Sequence, residues 1–297
     1  MFDISPQLDC NGRILKLDVP RVMGIVNTTP DSFSDGGDHF DADAAIAHGL
    51  RLAEEGADVL DIGGESTRPG AQEISIEEEL RRTLPVIEAL ARKVAVPISI
   101  DTSKPEVMRA AVAAGAGMIN DVYALRREGA LEAAAELRVP VVLMHMQGEP
   151  RSMQANPMYD DVAGEVHRFL AERIFTAEMA GIDKKRIVVD PGFGFGKSTG
   201  HNLQLLAQLQ RFTELGVPVL AGLSRKKTIG ELTGHDDPRQ RVSGSVAAHL
   251  IAAQRGALLL RVHDVAATVG ALKVWNALAA VPMPRVGAKP AISWPDD

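Results

Sequence analysis

Three stretches repeat one device and decide the fold: GADVLDIG at 56–63, GAGMINDV at 115–122 and GALLLRV at 256–262. In each, a glycine ends a helical pattern, because it enters the left-handed region without a Cβ penalty. A short apolar run follows, of the kind shown by a strand buried on both faces, and a polar residue closes it. The same alternation extends through the chain. Strand-like runs fall at 22–27, 59–63, 98–101, 118–121, 141–145, 187–190, 219–222 and 258–262. Helical periodicity occupies 41–56, 75–93, 105–115, 128–137, 160–181, 202–216, 238–256 and 264–278. Eight successive βα units predict an α/β fold, a closed (β/α)8 TIM barrel. An open doubly wound sheet is the competitor, and the lack of a GxGxxG turn disfavours it. Residues 1–21, with Asn11 and Gly12 as a turn pair, read as an N-terminal hairpin or plug. Residues 22–281 then form the barrel domain and 282–297, with prolines at 282, 284, 290 and 295, a flexible C-terminal tail.

Composition agrees with a single large core: 45% of the 297 residues are hydrophobic and 24% charged, which argues against disorder or a coiled coil. The 32 Lys and Arg against 39 Asp and Glu give a net charge of −7. That balance disfavours nonspecific nucleic-acid binding, although a local basic cluster can still receive a phosphorylated ligand. Cys10 alone can form neither an intrachain disulfide nor a thiolate metal cluster. No apolar run reaches the roughly 20 residues needed to cross a bilayer, and the first residues lack a basic start followed by an apolar stretch. The expectation is a cytoplasmic protein with no membrane partner.

In such a barrel, chemistry gathers at the C-terminal ends of the strands. Those ends carry Asn27, Asp61, Asp101, Asn120 with Asp121, His145, Asp190, then Ser224, Arg225 and Lys226, and finally Arg261 and His263. Any single Asp or Asn there has an ordinary reading as a helix N-cap, as expected of Asp264. The set does not, because capping calls for neither Lys226 nor Arg261 nor His263. Two loops rich in small polar residues, NTTPDSFSDGG at 27–37 and GGESTRPGA at 63–71, suit lids over an anionic group. The run DPGFGFGKS at 190–198 matches neither the P-loop nor GxGxxG. It offers a carboxylate, the aromatic Phe195 and a nearby cation, Lys197, to a flat heteroaromatic ligand. HExxH and GxSxG are absent, and the histidines are scattered. His145 reads as a packed or loop-orienting histidine rather than a base. A Mg ion carried by substrate phosphates needs few protein ligands, and Asn27 is a candidate.

Eight motifs in order make the chain resemble the bacterial dihydropteroate synthase family: MGIVNTTPDSFSDGG, GADVLDIGGESTRPGA, ISIDTSKPEV, INDV, VLMHMQGEPRSMQ, DPGFGFGKSTGHN, LAGLSRKKTIG and RVHDV. The resemblance implies a transferase of folate biosynthesis, a homodimer and a sulfonamide target. Its reaction condenses 6-hydroxymethyl-7,8-dihydropterin diphosphate with 4-aminobenzoate, giving 7,8-dihydropteroate and diphosphate. By that resemblance Asp101, Asn120, Asp190 and Lys226 bind the pterin. Asn27, Thr67, Arg68, Arg261 and His263 form the diphosphate and Mg2+ site, with Asn27 the metal ligand. Lys226, Arg261, His263 and Asp61 are the implied catalytic residues. The aminobenzoate is expected between Thr67, Arg68 and Pro69, the stretch around Phe195, and the start of the helix after Lys226. Lys227 departs from the family, which commonly has serine there. Two alternatives are a pterin-binding methyltransferase, which would lack the diphosphate residues, and a noncatalytic pterin-binding paralogue.

Overall fold

The computed structural model describes residues 6–29, 42–66, 70–148, 153, 157–279 and 281. Strands β1 (Gln7–Cys10) and β2 (Arg13–Lys16) form an antiparallel hairpin. Its turn residues Asn11 and Gly12 have φ of 56° and 84°, the pair of positive values that a tight hairpin turn needs. The barrel strands follow: β3 (Arg21–Asn27), β4 (Val59–Gly63), β5 (Ile98–Asp101), β6 (Met118–Asp121), β7 (Val141–Met144), β8 (Ile187–Asp190), β9 (Val219–Ala221) and β10 (Ala257–Val262). All pair in parallel with their neighbours in chain order, and β10 closes on β3. The expected (β/α)8 barrel is therefore the fold.

The helices are α1 (Ala42–Glu54), α2 (Ile76–Lys93), α3 (Pro105–Ala113), α4 (Ala130–Leu137), α5 (Val162–Met179), α6 (Thr199–Ala207), α7 (Lys227–Thr233), α8 (Val242–Gln254) and α9 (Val265–Ala279). Two expected helices are shorter than their periodicity. Residues 202–216 split into the end of α6 and a 3-10 turn at Leu209–Leu215, and α8 is preceded by a 3-10 turn at Pro238–Arg241. The short α7, with only seven residues, lacks the length for a visible apolar stripe. Among the described residues no helix is long and apolar enough to cross a membrane. The loop at 30–41, Thr67 to Pro69, and the proline-rich tail beyond 281 lie outside the described residues.

Strand residues alternate between two environments. Leu60, Ile62, Ile98, Ile100, Ile119, Val141, Leu143, Ile187 and Val189 join the layer packed under the helices. Met23, Val59, Met118, Val142, Val188, Leu220 and Leu259 form an interior floor instead. The hairpin seals that floor with Leu8, Cys10, Leu15 and Leu17. Arg13 locks it down, donating to the carbonyls of Ala91 at 2.6 Å and Val96 at 2.7 Å. Gly117 is required where the plug meets β6, because a Cβ there would collide with the carbonyl of Cys10. The plug is thus part of the core. Leu17→Ala should cost about 2–5 kcal/mol, as deletion of buried methyls does. Ile14→Ala, at a side chain 52% exposed on the same hairpin, should change stability by less than about 0.5 kcal/mol. Equal shifts of the two denaturation midpoints would deny the plug this role.

Candidate active site

A strand residue two places past the apolar floor points into the barrel one layer higher. The steps from Val59 to Asp61, Met118 to Asn120, Val188 to Asp190 and Leu259 to Arg261 all convert an apolar floor into a polar roof. Arg261 sits at its centre. Its Nε donates to Asp61 Oδ2 at 2.6 Å and its Nη2 to Asp101 Oδ2 at 2.6 Å. Asn120 Nδ2 donates to the same Asp61 oxygen at 3.0 Å. Asp61 is wholly buried, and its Oδ1 has no hydrogen-bond partner among the described residues. Burial pushes the Asp101 carboxyl upward, Arg261 opposes that push, and Asp61, Glu79 and Asp121 add to it. Burial also works against the Arg261 charge, but Asp61 and Asp101 outweigh it and hold the guanidinium protonated.

On the other side of the roof, Asp190 Oδ1 accepts from the Gly192 N–H at 2.7 Å. Burial raises this carboxyl, while that hydrogen bond, Lys226 and Lys197 hold it down. Lys226 Nζ donates to the Phe193 carbonyl and lies 4.2 Å from the centre of the Phe195 ring. Burial lowers the Lys226 ammonium to about 8, against the pull of Asp190. Lys197 differs from its expected place. It is 3% exposed and turned away from the rim, donating to the carbonyls of Gly192 at 2.9 Å and Phe195 at 3.0 Å. It also meets His145, at Nδ1 (2.9 Å) and at the carbonyl (3.4 Å). Lys226 is the cation beside Phe195, and His145 is the loop-orienting histidine its context suggested. Burial lowers the His145 imidazole to about 2, with Lys197 adding to the shift, so the ring stays neutral.

Around the rim, His263 receives a hydrogen-bond contact from Ser224, Nδ1 to Oγ at 2.9 Å, and its backbone N–H donates to the same hydroxyl at 3.1 Å. Asp264 does precede α9, but its carboxylate is committed to a two-pronged pair with Arg225 at 2.5 and 3.0 Å. Lys227 opens α7 with its side chain 88% exposed and 3.2 Å from Glu231. Asn27 ends β3 beside Gly63 of β4. Thr67, Arg68 and Pro69 fall outside the described residues, but the chain leading to them does not. There Lys104 pairs with Glu65 and, at 2.5 Å, with the buried Glu79, while Arg82 Nη1 donates to the Gly64 carbonyl at 3.0 Å.

Several residues that shape the site escaped the sequence reading. Glu79 and Thr83 share a helical stripe with Val86, Ile87 and Leu90. A carboxylate on that apolar stripe was the available signal for a buried pair. Asp121 accepts from Ser103 Oγ and from the backbone N–H groups of Tyr123 and Leu125, at 2.8 and 2.7 Å. It thereby holds the left-handed pair Ala124 and Leu125. The sequence placed Asp121 at its strand end, but nothing in the local pattern distinguishes such a loop staple from a ligand contact. Among the described residues no cluster of three or more His, Cys, Asp or Glu could hold a metal ion.

Comparison with known proteins agrees with this geometry. Residues 23–263 match the family model described as pterin binding enzyme. A solved Xanthomonas albilineans dihydropteroate synthase with 4-aminobenzoic acid is 74% identical, with a TM-score of 0.90 over 94% of this chain and 100% of that one. The Xanthomonas albilineans enzyme in complex with 7,8-dihydropteroate gives 71% identity and a TM-score of 0.86, over 93% and 100% of the two chains. The Escherichia coli K12 dihydropteroate synthase is 52% identical over 271 residues, 91% of this chain and 96% of that one. An eight-stranded barrel whose sequence tracks those enzymes over more than nine-tenths of its length belongs to the dihydropteroate synthase family of pterin-binding enzymes.

Proposed function

We propose that the chain condenses 6-hydroxymethyl-7,8-dihydropterin diphosphate with 4-aminobenzoate to give 7,8-dihydropteroate and diphosphate. The observation that carries this reading is the roof itself: Asp101, Asn120, Asp190, Lys226 and Arg261, from five different strand ends, converge above one apolar floor. A reduced pterin presents ring N–H and amino donors beside a carbonyl. Asp101, Asn120 and Asp190 accept from the donors, and Lys226 donates to the carbonyl. Asp190 takes the amino edge.

Arg261 and His263 receive the diphosphate, with Thr67 and Arg68 assigned to it by motif. The bond from the exocyclic methylene to the diphosphate oxygen breaks with its electron pair leaving on oxygen, and the dihydropterin ring delocalises the resulting cation. Stabilising the leaving oxygens is the chief catalytic task. The neutral aniline nitrogen of 4-aminobenzoate then forms the new C–N bond and loses a proton to solvent or diphosphate, so no strong protein base is needed. Asp61 orients Arg261 through the 2.6 Å pair. The aminobenzoate lies against Phe195, near Pro69 and the start of α7. A sulfonamide, which also carries an aniline para to an acidic group, would compete for that space.

Asn27 suits a hard cation such as Mg2+, because its amide oxygen is the right donor type for an ion held mostly by diphosphate oxygens. When bound, Mg2+ would supply charge to the leaving diphosphate. The reading also takes the enzyme to be cytoplasmic and a homodimer. In favour of the dimer, Val274 and Leu278 of α9 are 74% and 71% exposed, while Leu272 on the same helix packs into the barrel.

A coupled assay of diphosphate release tests the reading, and release should require both substrates. Arg261→Ala should lower kcat by about 10²-fold or more, as loss of a charge-stabilising donor does. Unchanged turnover would remove Arg261 from the mechanism. The pH profile gives a second check. With Lys226 lowered to about 8, its ammonium is present below that pH and lost above it, so kcat/KM should fall as pH rises through about 8. Lys226→Arg, which does not titrate there, should abolish that fall even if the rate is lower; a fall that persists assigns it to another group.

A further inference from the structure

The loop after β8 is built on a chain of alternating conformations. Gly192, Gly194 and Gly196 have φ of 69°, 81° and 65°, with Phe193 and Phe195 between them. Each glycine also marks a close approach that a Cβ would block: the His145 carbonyl at Gly192, the Lys226 side chain at Gly194 and Gln147 at Gly196. Phe193 enters the core, while Phe195 turns to the methionine cluster of Met144, Met146 and Met153 at the rim. A backbone of this kind makes few of its own hydrogen bonds, so its carbonyls need outside donors.

Side chains supply them, and the ammonium of Lys197 is the hub. Its close acceptors are the carbonyls of Gly192 and Phe195 and His145 Nδ1, at 2.9, 3.0 and 2.9 Å, with the His145 carbonyl farther off at 3.4 Å. Burial lowers the Lys197 ammonium well below its ordinary range, with Asp190 pulling the other way; in its charged form it has no lone pair, so His145 then accepts at Nδ1 and carries its proton on Nε2. The ring is held edge-on by Phe169 at 4.9 Å. Tyr159 Oη secures the Gly196 carbonyl at 2.9 Å, and Asn202 receives the Gly194 N–H at 2.8 Å. Between the two carbonyls clamped by Lys197, that of Phe193 meets Lys226.

We infer that Lys197, seated on His145, is a positioning residue that sets the loop carrying Phe195 and thereby the aromatic wall of the aminobenzoate subsite. Lys197 does not touch substrate. It acts through the two carbonyls flanking Phe193 and Phe195. The inference rests on the subsite assignment proposed above, and it adds the element that shapes that subsite.

The test uses the full-length enzyme with Lys197→Met, which keeps the stem and removes the donors, and the pair His145→Leu and His145→Asn. Asparagine places an oxygen where imidazole Nδ1 sits. Lys197→Met and His145→Leu should both speed amide hydrogen exchange across 192–196. Both should raise the KM for 4-aminobenzoate about tenfold, with kcat within about threefold, since a small displacement of a binding wall is felt chiefly by the ligand packed on it. His145→Asn should restore both to near wild type. Unchanged exchange in Lys197→Met overturns the latch, and faster exchange with an unchanged KM overturns its positioning role. A fall in kcat alone, tracking the melting temperature, also overturns it in favour of plain structural support. If Lys197→Met does not fold, the contrast between His145→Leu and His145→Asn decides by the same readouts. Failure of the wild-type enzyme to condense the substrates would sink the proposed reaction while leaving the exchange result to judge the latch.

Discussion

Arg261 joins carboxylates that lie 200 and 160 residues away in the chain, Asp61 on β4 and Asp101 on β5. The barrel can satisfy this guanidinium only when β10 has closed on β3 and brought the last strand within reach of the second and third barrel strands. Charges taken out of water are costly unless paired with good geometry, and losing one partner of a buried pair typically costs about 3–5 kcal/mol. Closure of the sheet and completion of the charged roof are therefore one event. The apolar floor beneath makes the arrangement stricter, because it excludes the water that would otherwise solvate Asp61 from below. The hairpin seals the same floor from the opposite end, so a structural appendage at one end governs the polarity of the site at the other.

The alternating environments along the strands explain why much of this was legible. A buried run ending in Asp, Asn or Arg announces both a strand and a side chain at its C-terminal end, and with period two the position of Asp61 above Val59 follows from residue numbers alone. Asn11 and Gly12 likewise announced a hairpin, because few other residues accept two consecutive positive φ values. What stayed hidden were contacts between elements whose order carries no spatial information. Lys197 looked like a ligand cation because a lysine beside a glycine-rich turn is ambiguous until the direction of its side chain is known. The Lys104 to Glu79 pair spans a loop and a helix face, and only the register of α2 against the barrel brings the two together. Asp264 had the position of a cap, yet the left-handed backbone of Arg225, at φ 57°, turned a guanidinium toward it.

The two lysines that meet the loop after β8, Lys197 within it and Lys226 just past β9, show how similar groups acquire opposite roles. Lys197 is sealed among the carbonyls of Gly192, Phe195 and His145 and the His145 ring, so its donors serve geometry. Lys226 meets the single carbonyl of Phe193 and one aromatic face, which leaves N–H capacity for an incoming acceptor. Lys197 is spent inside its loop, so in the roof itself three carboxylates, Asp61, Asp101 and Asp190, face two cations, Lys226 and Arg261. Such a roof has no standing positive excess to draw a diphosphate. On the proposed reaction, the pterin supplies the imbalance: a ring donor that takes Asp101 Oδ2 takes it from Arg261 Nη2, and that N–H is then free to meet a phosphate oxygen. Asp61 keeps its hold on Nε meanwhile, so the guanidinium pivots without being released. Binding of the ring and capture of its anionic tail are coupled through one side chain, which favours the ligand that carries both over either fragment alone.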